Sequence, residues 1–299
     1  MTSTRKARPA SRWLGLLGAA LAVSPGFAHA QILDLVYERT VMTAADARCG
    51  LFAPEVSAAL AAARLQARGA ALRSGADMQA VRAIEQDAID RGGSADCNSR
   101  DIAVAAGRVR DAFAGYARMQ RVTYPGDMAG WRADRTGPGD IRWRLAQDAR
   151  FGRDRMTFGL AGRQAPGVLL AVAEFADGQA PYGARLLLRD DRRSDSPYLD
   201  GPSASARGLA LDRRLPPRSA LRAYTAEARS PAGADLLPKN GQAGWAFRFP
   251  AQAARDLARL DPREAIAVEY LFPGDIVRRA YVEVGDFAAG RAFLTLTPR

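Results

Sequence analysis

The hydrophobic pattern of the chain changes period near residue 122, and that change limits the fold more than any other feature. Up to there, apolar residues recur every three or four positions, and 31–122 is rich in Ala and Arg with Pro54 as its one proline. From 123 on, short alternating or wholly apolar runs are separated by Gly, Pro, Asp and Ser. A spacing of three to four buries one face of a helix, and a spacing of two buries one face of a strand. The chain therefore reads as α+β: an N-terminal antiparallel four-helix bundle over 31–122, followed by a β-sandwich-like domain over 123–299 with one or two short helices.

Local signals bound the four helices. The first spans about 33–48, with Leu33, Val36, Thr40, Ala44 and Ala47 on one face and Gly50 as its stop. The second starts at Pro54, a residue suited to a first turn, and ends near Arg73 before Gly75. The third, about 77–91, buries Met78, Val81, Ile84, Ala88 and Ile89. The fourth opens after Asn98-Ser99, either of which is a good cap, and carries Ile102, Ala105, Val109, Phe113 and Tyr116. Short connections predict up-down-up-down neighbours.

Beyond Tyr124-Pro125-Gly126, strands are predicted at about 141–147, 155–160, 167–175, 183–189, 219–225, 243–249, 264–272 and 276–284. One amphipathic helix is predicted at about 251–260 and a second short one at 286–294. The polar, Pro- and Ser-rich stretch 190–218 reads as a long loop with at most one strand.

The first thirty residues read as a secretory signal peptide. Arg5, Lys6, Arg8 and Arg12 form a basic start, Trp13 to Val23 an apolar run of eleven residues, and Ala28-His29-Ala30 a small–x–small cleavage pattern. Eleven residues reach only about half of a bilayer core of roughly 30 Å, so the run is too short for an anchor. Cleavage between Ala30 and Gln31 is predicted. The mature chain is then periplasmic, or secreted where the host lacks an outer membrane, and has no transmembrane segment.

Cys49 and Cys97 are the only cysteines, which in an oxidising compartment predicts one disulfide. The bridge closes a loop whose entropy is worth at most about 4 kcal/mol. Cys49 ends the first helix and Cys97 precedes the fourth, so both lie at one end of the predicted bundle. Bridge and periodicity thus support each other.

Composition narrows the chemistry. The only histidine, His29, leaves with the signal, and so do four of the 43 Lys and Arg, which leaves 39 against 32 Asp and Glu, a net charge of +7 rather than +11. The arginines are interspersed with acids and form no basic stripe, the mark of a GC-rich genome rather than of nucleic-acid contacts. Without histidine or a free thiol, Ser-His-Asp, Cys-His and His-ligated metal chemistry are excluded. No Gly-rich phosphate loop follows a strand, and no cofactor is predicted.

Carboxylates remain. Glu269, Asp275, Glu283 and Asp286 lie close along the last strand pair and are the candidates for an acid and base acting on a glycan; Glu174 and Asp177 flank another strand end. The bland alternative makes them solvated edge and turn acids. Asp190, Asp191, Asp195 and Asp200 offer oxygens for calcium in a spacing that fits no known loop. Trp131-Arg132 and Trp143-Arg144 suggest an aromatic platform or, more commonly, core. Arginines follow closely on the acids: Arg278 and Arg279 after Asp275, Arg192 and Arg193 after Asp190. Pairing of that kind lowers a carboxyl pKa and opposes a protonated general acid.

The stretches LVYERTVMTAADARCGLF and VEVGDFAAGRAFL resemble those of uncharacterised exported alphaproteobacterial proteins, a resemblance that implies export and no activity. The last fifty residues, with a short helix before a strand pair and the closing segment Gly285-Asp286-Phe287-Ala288-Ala289, are similar to the invasion-associated locus B family. That similarity implies a small exported β-protein. This chain has no cysteine there and adds helices in front.

The function expected is a non-catalytic envelope protein that binds or scaffolds a partner, an envelope protein or a glycan. The alternatives are a carboxylate-dependent hydrolase acting on cell wall or polysaccharide, and a periplasmic module for a small anionic ligand.

Overall fold

The computed structural model describes residues 25–137, 139–163, 167–194, 196–199, 206 and 208–295, with side chains from Gln31 onward apart from that of Ala117. The signal segment up to residue 24, Asp195 and Asp200 therefore lie outside the described residues. Among the described residues the chain is α+β, with six helices and two antiparallel sheets.

Four helices come first: α1 (Pro25–Cys49), α2 (Pro54–Arg73), α3 (Met78–Gly93) and α4 (Arg100–Arg118). Helix α1 starts before the predicted Leu33 and runs through Ala30 and Gln31. The other three match their predicted spans because the cues are local. Pro54 opens α2, the Asp77 carboxylate accepts from the Ala80 N–H at 2.9 Å, and the Ser99 hydroxyl accepts from the Ile102 N–H at 3.2 Å. Cys49 and Cys97 form the predicted disulfide, with Cα atoms 5.6 Å apart.

Helix α1 lies between α2 and α3, and α2 between α1 and α4, so the helices follow the order α3–α1–α2–α4. The reason lies in α2, whose buried residues are Ala59, Leu60, Ala62, Ala63, Ala67, Gly69, Ala71 and Leu72. So many small side chains let α1, α4 and the C-terminal helix α6 (Phe287–Leu294) all approach α2 closely.

Strands β1 (Arg121–Tyr124), β2 (Trp131–Asp134), β3 (Arg142–Phe151), β4 (Asp154–Gly162), β5 (Val168–Glu174), β8 (Ala228–Pro231) and β9 (Trp245–Arg248) make a seven-stranded sheet in the order β1-β2-β3-β4-β5-β9-β8. Strands β6 (Gly183–Arg189), β7 (Leu221–Thr225), β10 (Ala265–Phe272) and β11 (Ile276–Glu283) make a four-stranded sheet in the order β11-β10-β6-β7. All eight predicted strands are present, and both predicted helices are, as α5 (Ala251–Leu257) and α6. The stretch 190–218 contains short 3-10 turns and, among its described residues, no strand.

The chain passes between sheets at Ala226-Glu227. The Ala226 N–H donates to Ala184 O of β6 at 2.9 Å, and the next N–H, of Glu227, donates to Arg248 O of β9 at 2.8 Å. One core cluster takes residues from both sheets, among them Leu145, Phe158, Ala171, Leu186, Val268 and Val282. Ala59 and Ala62 of α2 and Phe287 and Phe293 of α6 belong to it too, and Phe113 and Tyr116 of α4 pack against it. Among the described residues no helix is long and apolar enough to cross a membrane.

Candidate functional site

The four carboxylates singled out by sequence do not share one site. Asp275 is exposed in the β10–β11 turn, with a left-handed φ of 58°. Glu269 sits mid-strand on β10, buried between its two cross-strand partners. Arg185 Nη2 lies 2.7 Å and Arg279 Nε 2.6 Å from its two oxygens.

Glu283 ends β11 with 0% exposure. Its carboxylate accepts three backbone N–H groups, from Asp127 at 2.8 Å, Met128 at 2.7 Å and Ala129 at 3.0 Å. Around it, the Gln147 carboxamide accepts from the Glu283 N–H and donates to the Glu283 carbonyl, and Trp131 Nε1 donates to the carbonyls of Glu283 and Val284. Glu283 thereby fixes the β1–β2 loop against the second sheet.

Asp286 precedes α6 and receives a two-pronged bond from Arg73 of α2, at 2.7 and 2.9 Å. The close approach depends on Gly69, where an added Cβ would lie 2.3 Å from an Asp286 oxygen. Burial pushes the Asp286 carboxyl above the ordinary aspartate range; Arg73 opposes that push, and the negative charges of Glu283 and Asp127 add to it. The fork of two parallel bonds is that of an ion pair. Asp127 also pairs with the fully buried Arg214 at 3.3 Å.

Structure thus brings Glu283 and Asp286 to one buried junction, and it leaves Glu269 and Asp275 elsewhere. At that junction both oxygens of Glu283 face N–H donors, and both oxygens of Asp286 face Arg73. Neither is placed to protonate or attack a substrate.

The remaining sequence candidates among the described residues are tied as well. Glu174 pairs with Arg155 at 2.7 Å, and Asp177 pairs with Arg278. Asp190 pairs with Arg222 at 2.7 Å and Arg193 at 3.4 Å, and Asp191 with Arg259 at 3.1 Å. Among the described residues no group of three acids, cysteines or histidines is placed to hold a metal. The sequence-adjacent pairing holds for Asp190 and Arg193, whereas Arg278 turns from Asp275 to Asp154 and Asp177.

The tryptophans form no exposed platform. Trp131 is buried edge-on against Phe158 and Phe287, because its ring belongs to the core face of β2. Trp143 lies half-buried in a separate cluster and donates to Leu236 O at 3.0 Å. Their neighbours differ too: Arg144 is buried and donates to the carbonyls of Thr136, Gly162 and Arg163.

The feature not legible in the sequence is a groove on the outer face of the seven-stranded sheet. Along β4, β5 and β9, alternate residues fill the core, while Ala161, Leu170, Val172 and Ala246 form a second apolar patch outside it. Over that patch runs a cavity of about 800 Å³. Its floor crosses four adjacent strands through Ala161, Leu170, Ala246 and Ala228, and Asp140, Arg163, Asp235 and Arg248 border it. Ile141 and Val168 stand on its rim 47% and 50% exposed. Small side chains on adjacent strands were the one available signal, and their register was unknown.

The chain matches no protein-family model, no curated protein and no solved structure.

Proposed function

We propose that the mature protein is a periplasmic envelope protein with a binding or scaffolding role and no catalytic one, and that it receives an extended segment of a partner protein in the groove over β4, β5, β9 and β8. In this reading the signal is cleaved before Gln31, the helices act as a disulfide-stapled bundle, and the two sheets close as a sandwich around their common core. The likeness to the invasion-associated locus B family agrees with an exported β-rich scaffold.

The groove carries the proposal. It spans four strands, about 14 Å at the usual strand spacing, which is the length of roughly four extended residues. An apolar floor bordered by both signs of charge suits a polypeptide, whose side chains alternate and whose backbone needs donors and acceptors. β8 adds a sheet edge whose four residues are exposed. The buried acids named by sequence are spent on structure, which weighs against the carboxylate-dependent hydrolase read from them. A nucleic-acid partner is disfavoured by the pairing of so many arginines with acids.

The test fills the groove. Ala228→Tyr, on the exposed edge strand, places a ring over the floor without entering the core. A partner crosslinked to the parent protein in native envelopes is expected to be lost from Ala228→Tyr and kept by Arg108→Gln on α4. Equal crosslinking to both variants overturns the assignment of the groove.

A further inference from the structure

We propose that a second pocket, at the tip of the β3–β4 hairpin, binds a multivalent phosphate-type oxyanion. The hairpin closes between Phe151 and Asp154 through Gly152-Arg153, with Gly152 at φ +60°, a tight turn that places Arg153 at the tip. Edge strand β11 faces this turn with Arg278, Arg279 and Tyr281, and the space between them holds about 570 Å³.

The charges in this pocket are not balanced. Arg278 is matched, donating to Asp154, Asp177 and Gln179 while its guanidinium rests 4.4 Å from the centre of the Phe272 ring. Arg279 is matched by Glu269, an acid it shares with Arg185. The side chains of Arg150 and Arg153 are exposed and have no hydrogen bond or ion pair among the described residues. Four arginines therefore line the pocket against two aspartates, Asp154 and Asp177.

Arg150 also stands directly opposite Arg155 in the β3–β4 register. Like charges in that position destabilise a strand pair. The fold supplies Glu174 to Arg155, at 2.7 Å, and leaves Arg150 with no acid. A local rule broken without compensation marks a position kept for something outside the chain.

The ligand chemistry follows from these groups. A guanidinium fork matches the oxygens of a phosphate better than any single-point donor. The two arginines left without an acid, Arg150 and Arg153, offer two positive charges, which a ligand carrying at least two negative charges matches. Arg278 and Arg279, held by their acids, form a fixed wall beside Arg150 and Arg153. A soluble polyphosphate and the phosphate monoester of a lipid headgroup share this chemistry. The inference deepens the binding role by naming a ligand class, and it uses no residue of the groove.

Calorimetric titration of the envelope-purified protein with sodium tripolyphosphate is expected to show one saturable site. Arg150→Gln/Arg153→Gln should weaken it about tenfold or more, the loss of two charge-assisted contacts. Because Arg150 is relieved of Arg155, the unliganded double variant should melt at or above the parent temperature. Sedimentation with phosphatidylcholine vesicles containing phosphatidic acid separates the two sources: retention lost in the double variant assigns a headgroup, and tripolyphosphate binding without retention assigns a soluble anion. Unchanged tripolyphosphate affinity in the double variant, an equal loss in Arg108→Gln, or no saturable binding of either probe overturns the proposal. None of these outcomes bears on the partner crosslinked through the groove, which Ala228→Tyr tests separately.

Discussion

Arg73, at the end of α2, and Asp286, just before α6, meet through two bonds of 2.7 and 2.9 Å although 213 residues separate them. This pair ties the helices to the last element of the sheet-rich part. Helices α2 and α6 pack alongside it, over Gly69.

Removing one member leaves the other buried and uncompensated. Asp286→Asn is expected to cost about 3–5 kcal/mol, as is Arg73→Met, the usual penalty for breaking a buried pair. The double variant should lose less than the two single losses added together. Urea midpoints of the four proteins measure this, and additive losses would contradict the pairing.

Opening the Cys49–Cys97 bridge releases a loop between residues 48 positions apart. Cys49→Ala/Cys97→Ala is expected to lower stability by about 2–4 kcal/mol. The unfolding midpoint of the parent in reductant should fall to that of the double variant. Two thiols titrated in the denatured, unreduced protein would contradict the bridge.

Acid should weaken the fold through Asp256. Burial acts to raise its pKa, but hydrogen bonds from Tyr224, Gln252 and Arg222 outweigh burial and hold it below the ordinary value. The native state therefore binds fewer protons than the unfolded one at this site. Its contribution is full above the unfolded pKa of about 3.9 and is lost as pH falls through the lower folded value. Melting temperature against pH should show a shallower acid limb in Asp256→Asn than in the parent, and parallel limbs would contradict this.

Much of the fold was legible because its signals are local. Pro54, Asp77 and Ser99 mark helix starts within a few residues of the chain they act on. The order α3–α1–α2–α4 was not legible, since it depends on α2 meeting an α6 that lies far along the chain. β1 (RVTY), β2 (WRAD) and β8 (ARSP) escaped because their four residues hold few apolar side chains, whereas the equally short β9 showed through Trp245-Ala246-Phe247. Of the four candidate acids, Glu283 and Asp286 meet at one junction, while Glu269 and Asp275 lie elsewhere. Glu283 takes its three donors from a loop more than 150 residues earlier, and Arg278 finds its acids more than 100 residues away.

Export makes a prediction about α1. The helix runs through Ala30 and Gln31, and among the described side chains Ile32, Leu33 and Val36 pack into the helical core beyond the predicted bond. Cleavage at that bond keeps those contacts. Mass spectrometry of the native envelope protein should find Gln31, or its pyroglutamate, as the N-terminus. Peptides covering Met1 to Arg12 in most molecules would contradict it.

The claim that the acids are architecture is tested most directly at Glu283. Glu283→Gln keeps the shape, removes the charge and turns an amide N–H toward backbone N–H donors. Its urea unfolding midpoint, measured beside turnover of peptidoglycan and a panel of polysaccharides, decides the matter. The account predicts a loss of about 2–4 kcal/mol with an unchanged slope, and no turnover by the parent or the variant. A variant as stable as its parent, combined with parent turnover that the amide abolishes, would contradict the account and make Glu283 a catalytic residue.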